Sequence, residues 1–189
     1  MEWFTAAQHF TKALASAEPT PGGGAAAAHA ASMGCALAMM AAGTTVKRKN
    51  TPQEVKTRLD KSLKRLGSLK TQLTSYVQKD SEAYSAYLTA AKLPKDTLAR
   101  PQALEQALLF AASVPADTAS TAIEVLKEID VIKEDISVVI MSDILCARYL
   151  LQAGIRCSVE NIRANMMFFQ NEDNKNLFEK QITNFLTWC

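Results

Sequence analysis

Hydrophobic positions recur along this chain at three- and four-residue spacing, and hardly anywhere with the period of two that a half-buried strand requires. Trp3, Phe4, Ala7, Phe10 and Leu14 form the stripe of a first amphipathic helix, from about Glu2 to Ser16. The prolines of Glu18-Pro19-Thr20-Pro21 end it, because each disfavours helix in the residue before it. A second helix follows from Gly23 to about Val46. Thr51-Pro52 opens a third, with threonine as N-cap and proline at the first helical position. Its stripe passes through Val55, Leu59, Leu63, Leu66, Leu73, Val77, Asp80, Tyr84, Tyr87 and Ala91. That predicts a helix of roughly 40 residues, about 60 Å long. Pro101 begins a fourth helix to about Ile129, which Pro115 should kink or split. One or two more run from about Glu134 to Gln170, with Gly154 a candidate break, and a last from Asp173 to Trp188.

The expected architecture is therefore an all-α helical bundle with one very long helix. It forms a single domain over residues 1–189, since no repeat or linker divides it. One small domain cannot cover such a rod, and a second subunit is the natural supplier of the missing surface, so a homodimer is expected.

Composition narrows the partners. A chain of 189 residues with 48% hydrophobic content builds a sizeable core and is not a disordered tail. A net charge of +2 argues against nucleic acid or an anionic membrane as main partner. The basic runs at Lys47 to Lys49 and from Lys56 to Lys70 read as a solvated face. Gly22 to Gly43 is uncharged and long enough to cross a bilayer. It is mostly alanine and glycine, however, and carries His29, so it reads as a helix buried in protein. Cys35, Cys146, Cys157 and Cys189 share no metal-knuckle or redox spacing, and no signal peptide opens the sequence, so a reducing, cytoplasmic compartment is expected.

Candidate chemistry lies in polar residues at apolar positions. Asp80 interrupts the third helix's stripe, where desolvation raises a carboxyl toward the range useful in acid–base catalysis. The alternative is a salt bridge, or a cap for a neighbouring helix. Asp143 shares a face with Ile136, Val139, Ile140, Ala147 and Leu150, and is either a catalytic or binding carboxylate or half of a structural pair across helices. Asn161 and Asn165 stand at i and i+4, with Phe168 one turn on. They suit the edge of a heterocycle, or a helix-to-helix hydrogen bond. Only His9 accompanies His29, so no histidine metal site is available and no metal is expected. In Pro21-Gly22-Gly23-Gly24 the free N–H groups and helix dipole favour an anion, and bare backbone admits close approach. The stretch lacks the lysine-serine of a P-loop.

Several short motifs stand in a telling order: SAEPTPGGGAAAA (Ser16 to Ala28), DSEAY (Asp80 to Tyr84), KLPK (Lys92 to Lys95), SVP (Ser113 to Pro115), SD (Ser142-Asp143) and NIRAN (Asn161 to Asn165). This ordered set, spanning nearly the whole chain, resembles the cyclodeaminase family. That family comprises the cyclodeaminase domain of formiminotransferase-cyclodeaminase and its stand-alone relatives, often described as methenyltetrahydrofolate cyclohydrolases. The resemblance implies an all-helical homodimer that binds a tetrahydrofolate derivative as substrate near the subunit interface. It implies chemistry at the one-carbon unit on N5, either ring closure with loss of ammonia or hydrolysis of the methenyl group. It implies that Asp80 is the acid/base, and that Asp143, Asn161 and Asn165 bind the pterin or orient Asp80. By the same resemblance the Pro21, Gly22, Gly23, Gly24 loop lies against the ligand and Tyr84 lines its site. Lys92 partners the folate carboxylates or Asp80. A formiminotransferase would be a separate channelling partner. Two positions depart from the family's pattern. Ala25 stands where many relatives carry serine, and Ile136-Ser137 stands where a Gly-Asn turn is usual. Either Ser137 substitutes for the asparagine, or that part of the pocket is closed and the chain is a catalytically impaired folate-binding or structural dimer.

Overall fold

The computed structural model describes residues 2–189, with side chains from Phe4 onward; the Trp3 side chain of the first stripe lies outside that description. The chain runs through α1 (Glu2–Leu14), α2 (Gly23–Lys47), α3 (Gln53–Ala91), α4 (Arg100–Ile132), α5 (Met141–Met166) and α6 (Glu172–Leu186). Short 3-10 turns at Lys133–Asp135 and Val138–Ile140 lie between α4 and α5. No strand occurs among the described residues.

Three local expectations change. Thr51 does not cap α3: its hydroxyl donates to the Thr45 carbonyl at 2.7 Å, and Pro52 stands at the N-cap without a side-chain bond. Pro115 lies inside α4 and does not end it, so α3, at 39 residues, is accompanied by a second long helix of 33. Gly154 does not break α5, which continues for 26 residues. It is a packing glycine, because a Cβ there would come within 3.0 Å of the Ala27 carbonyl and the Ala31 methyl.

Gly34 repeats this on the facing helix. A Cβ on it would lie 2.8 Å from the Ala147 carbonyl. Contacts of Gly34 with Ala147 and Leu151, of Gly154 with Ala27 and Ala31, and of Gly23 with Asn161 order the two helices antiparallel. Small side chains let them approach at backbone distance, and Ala28, Ala31, Cys35, Ala38 and Ala42 of α2 are fully buried. By length and composition α2 and the stretch Val138–Met166 could each cross a membrane; α2 instead buries these alanines in protein.

α3 buries Leu59, Leu66, Leu73, Tyr76 and Ala83 against Ala112, Ala119, Leu126 and Ile129 of α4, all in one hydrophobic cluster. Part of the basic run is engaged in ion pairs: Arg58 with Asp135 at 2.6 Å, and Arg65 with Glu124 at 2.7 Å and Glu128 at 3.3 Å. α1 behaves differently. Phe10 packs on His29 with ring centroids 4.5 Å apart, while Phe4 stays 70% exposed, so this chain leaves part of the α1 stripe uncovered.

Candidate active site

The first N–H groups of a helix have no partner within it. At the start of α2 the N-cap is Gly22, which offers no side chain. The missing acceptor comes from α3: the Ala25 N–H donates to Asp80 Oδ2 at 3.0 Å. Asp80 thus caps the neighbouring helix, and it does so from the wall of a cavity of about 350 Å³. The two readings of Asp80 left open by its spacing are compatible in one residue. Burial holds its carboxyl above the usual aspartate range; the Ala25 N–H pulls the other way and is the weaker influence.

The glycines are explained by proximity. A Cβ on Gly24 would fall on the Asp80 carboxylate, and a Cβ on Gly23 would lie 3.1 Å from Asn161 Nδ2. Pro19, Thr20 and Gly22 to Gly24 form one wall of the cavity; Ala83, Tyr84 and Tyr87 continue α3 beyond Asp80 along a second. Leu108 and Ala111 of α4 contribute apolar surface, and Asn161, Asn165 and Phe168 close the α5 side. The amides are fixed. Asn161 Nδ2 donates to the Cys157 carbonyl at 2.8 Å, and Asn165 Nδ2 donates to the carbonyls of both Ala111 and Asn161 at 3.0 Å. Among the described residues no group of three or more His, Cys, Asp and Glu is arranged to hold a metal ion.

The structure brings Gly22, Gly23, Gly24, Asp80, Tyr84, Asn161 and Asn165 together. Pro21 lies in the same loop without lining the cavity. Ser137 is elsewhere: its N–H donates to Thr45 Oγ1 at 3.2 Å, at the opposite end of α2. That is roughly 33 Å from Gly23 at the helical rise, so within one chain Ser137 neither completes nor closes this pocket. Asp143 is half-buried in the first turn of α5, about 27 Å along that helix from Asn161, and does not join Asp80. Its supposed stripe ran back through Ile136 to Ile140, which are not α-helical. Lys92, exposed at the C-terminal cap of α3, stands about 18 Å from Asp80 along the helix, beyond reach as its ion-pair partner.

Pro19, Thr20, Ala83, Tyr87, Leu108 and Ala111 escape the sequence reading of the site. Ala83 has a signal, since it follows Asp80 by three residues on one helix face. Leu108 and Ala111 have none, because only the packing of α4 brings them there.

The chain is similar to known proteins over most of its length. The sequence profile of the formiminotransferase-cyclodeaminase family matches residues 6–184. A methenyltetrahydrofolate cyclohydrolase from Methylorubrum extorquens is 34% identical over 160 residues, which cover 82% of this chain and 76% of that protein. A formimidoyltransferase-cyclodeaminase from Sus scrofa is 30% identical over 185 residues, covering 94% of this chain; the match spans 33% of that longer protein. The crystal structure of a formiminotetrahydrofolate cyclodeaminase from Thermotoga maritima aligns with a TM-score of 0.85 at 26% identity, over 95% of this chain and 87% of that one.

Proposed function

This chain belongs to the formiminotransferase-cyclodeaminase family, and from that premise we propose that it is a folate one-carbon enzyme acting on formimidoyl- or methenyl-tetrahydrofolate by general acid–base catalysis. The observation that carries the reading is Asp80, a desolvated carboxyl tied to a helix N-terminus and facing a cavity lined by aromatic rings and amides.

Cyclodeamination makes a specific demand. As N10 attacks the formimino carbon on N5, one group must take the N10 proton, and a proton must then reach the amine that leaves as ammonia. A carboxyl with raised proton affinity performs both steps in turn. In the hydrolytic reaction the same group takes a proton from the water adding to the methenyl carbon and returns it to the departing ring nitrogen. Tyr84, Tyr87 and Phe168 supply flat surface for the aromatic parts of the substrate, and Asn161 and Asn165 serve its polar edge. Bare backbone at Gly23 and Gly24 lets Asn161 and Asp80 stand against the loop in the cavity wall. Lys92, exposed and two turns beyond Tyr84 at the end of α3, is the cation for the carboxylates of the glutamate tail. The test follows the near-ultraviolet absorbance of the methenyl chromophore with either substrate. Turnover that collapses in Asp80→Asn supports the reading; no turnover of either folate by the wild type overturns it.

The proposal includes a cytoplasmic homodimer. Free thiols at all four cysteines agree with a reducing compartment. Dimerisation is supported by apolar side chains on the outer faces of α2 and α5: Met33 and Met40 are 41% and 42% exposed, and Leu145 and Tyr149 are 49% and 68% exposed. Sedimentation should give about twice the 20.6 kDa of one chain. A monomer at micromolar concentration would remove this part of the proposal.

A further inference from the structure

We propose that Pro115, which lies outside the cavity lining, is a positioning residue that fixes the amide of Asn165 and so makes that wall of the pocket a hydrogen-bond acceptor. As a statement about ligand recognition this rests on the folate reading; as a statement about Asn165 it does not.

Proline has no N–H, so within α4 the carbonyl four residues earlier loses its regular donor. That carbonyl belongs to Ala111, and Asn165 Nδ2 donates to it at 3.0 Å from α5. The same nitrogen donates at 3.0 Å to the Asn161 carbonyl, one turn back on its own helix. A side-chain amide carries two N–H hydrogens, and these two bonds use both. Turning the amide over would set Oδ1 against two carbonyl oxygens, so the orientation is dictated by the network. Oδ1 is left as the polar atom of Asn165 available to the cavity that Asn165 and Ala111 both line. A ligand meets an acceptor there and is selected for a donor edge, a ring N–H or an exocyclic amine. The 2-amino-4-oxopyrimidine half of a pterin presents such an edge.

The device is testable because the helix survives its removal, and circular dichroism with a urea midpoint checks that losing the buried ring carbons leaves the fold intact. Pro115→Ala restores an N–H at position 115, draws the Ala111 carbonyl back into the helix, and replaces the poorest helix former with the best. The KM for the folate substrate should rise about fivefold, the worth of one net hydrogen bond, with kcat within about twofold. Asn165→Ala should raise KM at least as far, and adding Pro115→Ala to it should cause no further loss, because both act through one contact. Unchanged KM in Pro115→Ala, or additive losses in the double variant, overturns the proposal. A second measurement needs no ligand. In the free protein the Asn165 side-chain NH2 protons should exchange more slowly than those of exposed Asn50, and Pro115→Ala should remove the protection of the proton directed at the Ala111 carbonyl while the one bonded to the Asn161 carbonyl keeps its own. Protection of the first proton that survives the substitution overturns the positioning role. Protection lost in a protein whose wild type neither binds nor turns over a folate overturns the folate reading and leaves the positioning role standing.

Discussion

Gly24 and Asp80 share one space: the position of a Cβ on Gly24 is already filled by the Asp80 carboxylate. The glycine is therefore the condition under which a carboxyl from α3 reaches the N-terminus of α2. Gly24→Ala should expel Asp80 from the Ala25 N–H while leaving the bundle folded, since the carboxylate has an open cavity to move into. Displacing an acid/base group by an ångström or more should lower kcat about 100-fold. Helical circular dichroism together with the methenyl absorbance assay checks this. A Gly24→Ala enzyme with wild-type kcat would show that the position of Asp80 is immaterial.

Asp80 should also reveal itself through stability. Its folded carboxyl binds protons more tightly than the unfolded one, because burial disfavours the charge. The native state therefore holds more protons. Its stability falls as pH rises from the unfolded value, about 3.9, through the raised folded value, and levels off above it. Asn at this position keeps an oxygen for the Ala25 N–H and carries no charge to desolvate. Asp80→Asn should thus melt higher than wild type at pH 7, with a gap that closes toward pH 4, while losing on the order of 10² to 10⁴ in turnover. Asp117 is also raised by burial, but it is present in both proteins and drops out of the difference. A gap that widens on acidification would reverse the assigned sign.

The parts of this site that the sequence discloses are those with a local signature. Asp80 stands out because it interrupts the helical stripe of α3, and the glycine triplet and the Asn161–Asn165 pair because their spacing is unusual on a helix. The long-range facts are hidden. That Asp80 reaches across to Ala25 depends on how closely α2 and α3 pack. Within one chain Asp143 stands away from Asp80, because its stripe is read back through Ile136 to Ile140, where α-helix is interrupted and the periodicity has no meaning. Ser137 likewise stands apart within one chain, because neighbourhood to the SD motif along the sequence says nothing of distance from Gly23 along α2. The role of Pro115 is invisible in one dimension, since its effect is exerted through the carbonyl of Ala111 on a side chain 54 residues from that carbonyl.

The cysteines divide by environment. Cys35 is fully buried, its thiol pushed up to about 12 by desolvation and donating to the Leu66 carbonyl at 3.4 Å. Cys146 and Cys157 are exposed. A maleimide at neutral pH should label exposed Cys157 in the native protein within minutes and reach Cys35 only after unfolding, because the thiolate is the reactive form. Mass mapping of labelled peptides checks the order; native labelling at Cys35 would mean that α2 opens locally.

The same substitution should act with opposite sign at two helical glycines. Replacing glycine by alanine inside a helix ordinarily stabilises by about 0.5–1 kcal/mol, since glycine loses more backbone freedom on folding. Gly67 of α3 meets that expectation: a Cβ there has only the mobile Met39 methyl at 3.8 Å. Gly34 does not. Its Cβ would press on the Ala147 carbonyl at 2.8 Å and on Leu151 at 2.9 Å, and backbone cannot rotate away as a side chain can. Relief requires α2 and α5 to separate along the row of buried alanines. That loosening should cost about 1–3 kcal/mol, more than the propensity gain. Ala31→Leu, at a site with no exposure, should be at least as damaging, whereas half-buried Ala30 should accept leucine with a smaller loss. Urea unfolding gives the midpoints. A lower midpoint for Gly34→Ala and a higher one for Gly67→Ala, at unchanged slope, is the expected result. Equal stabilisation at both positions would mean that the α2–α5 contact is not held at backbone distance.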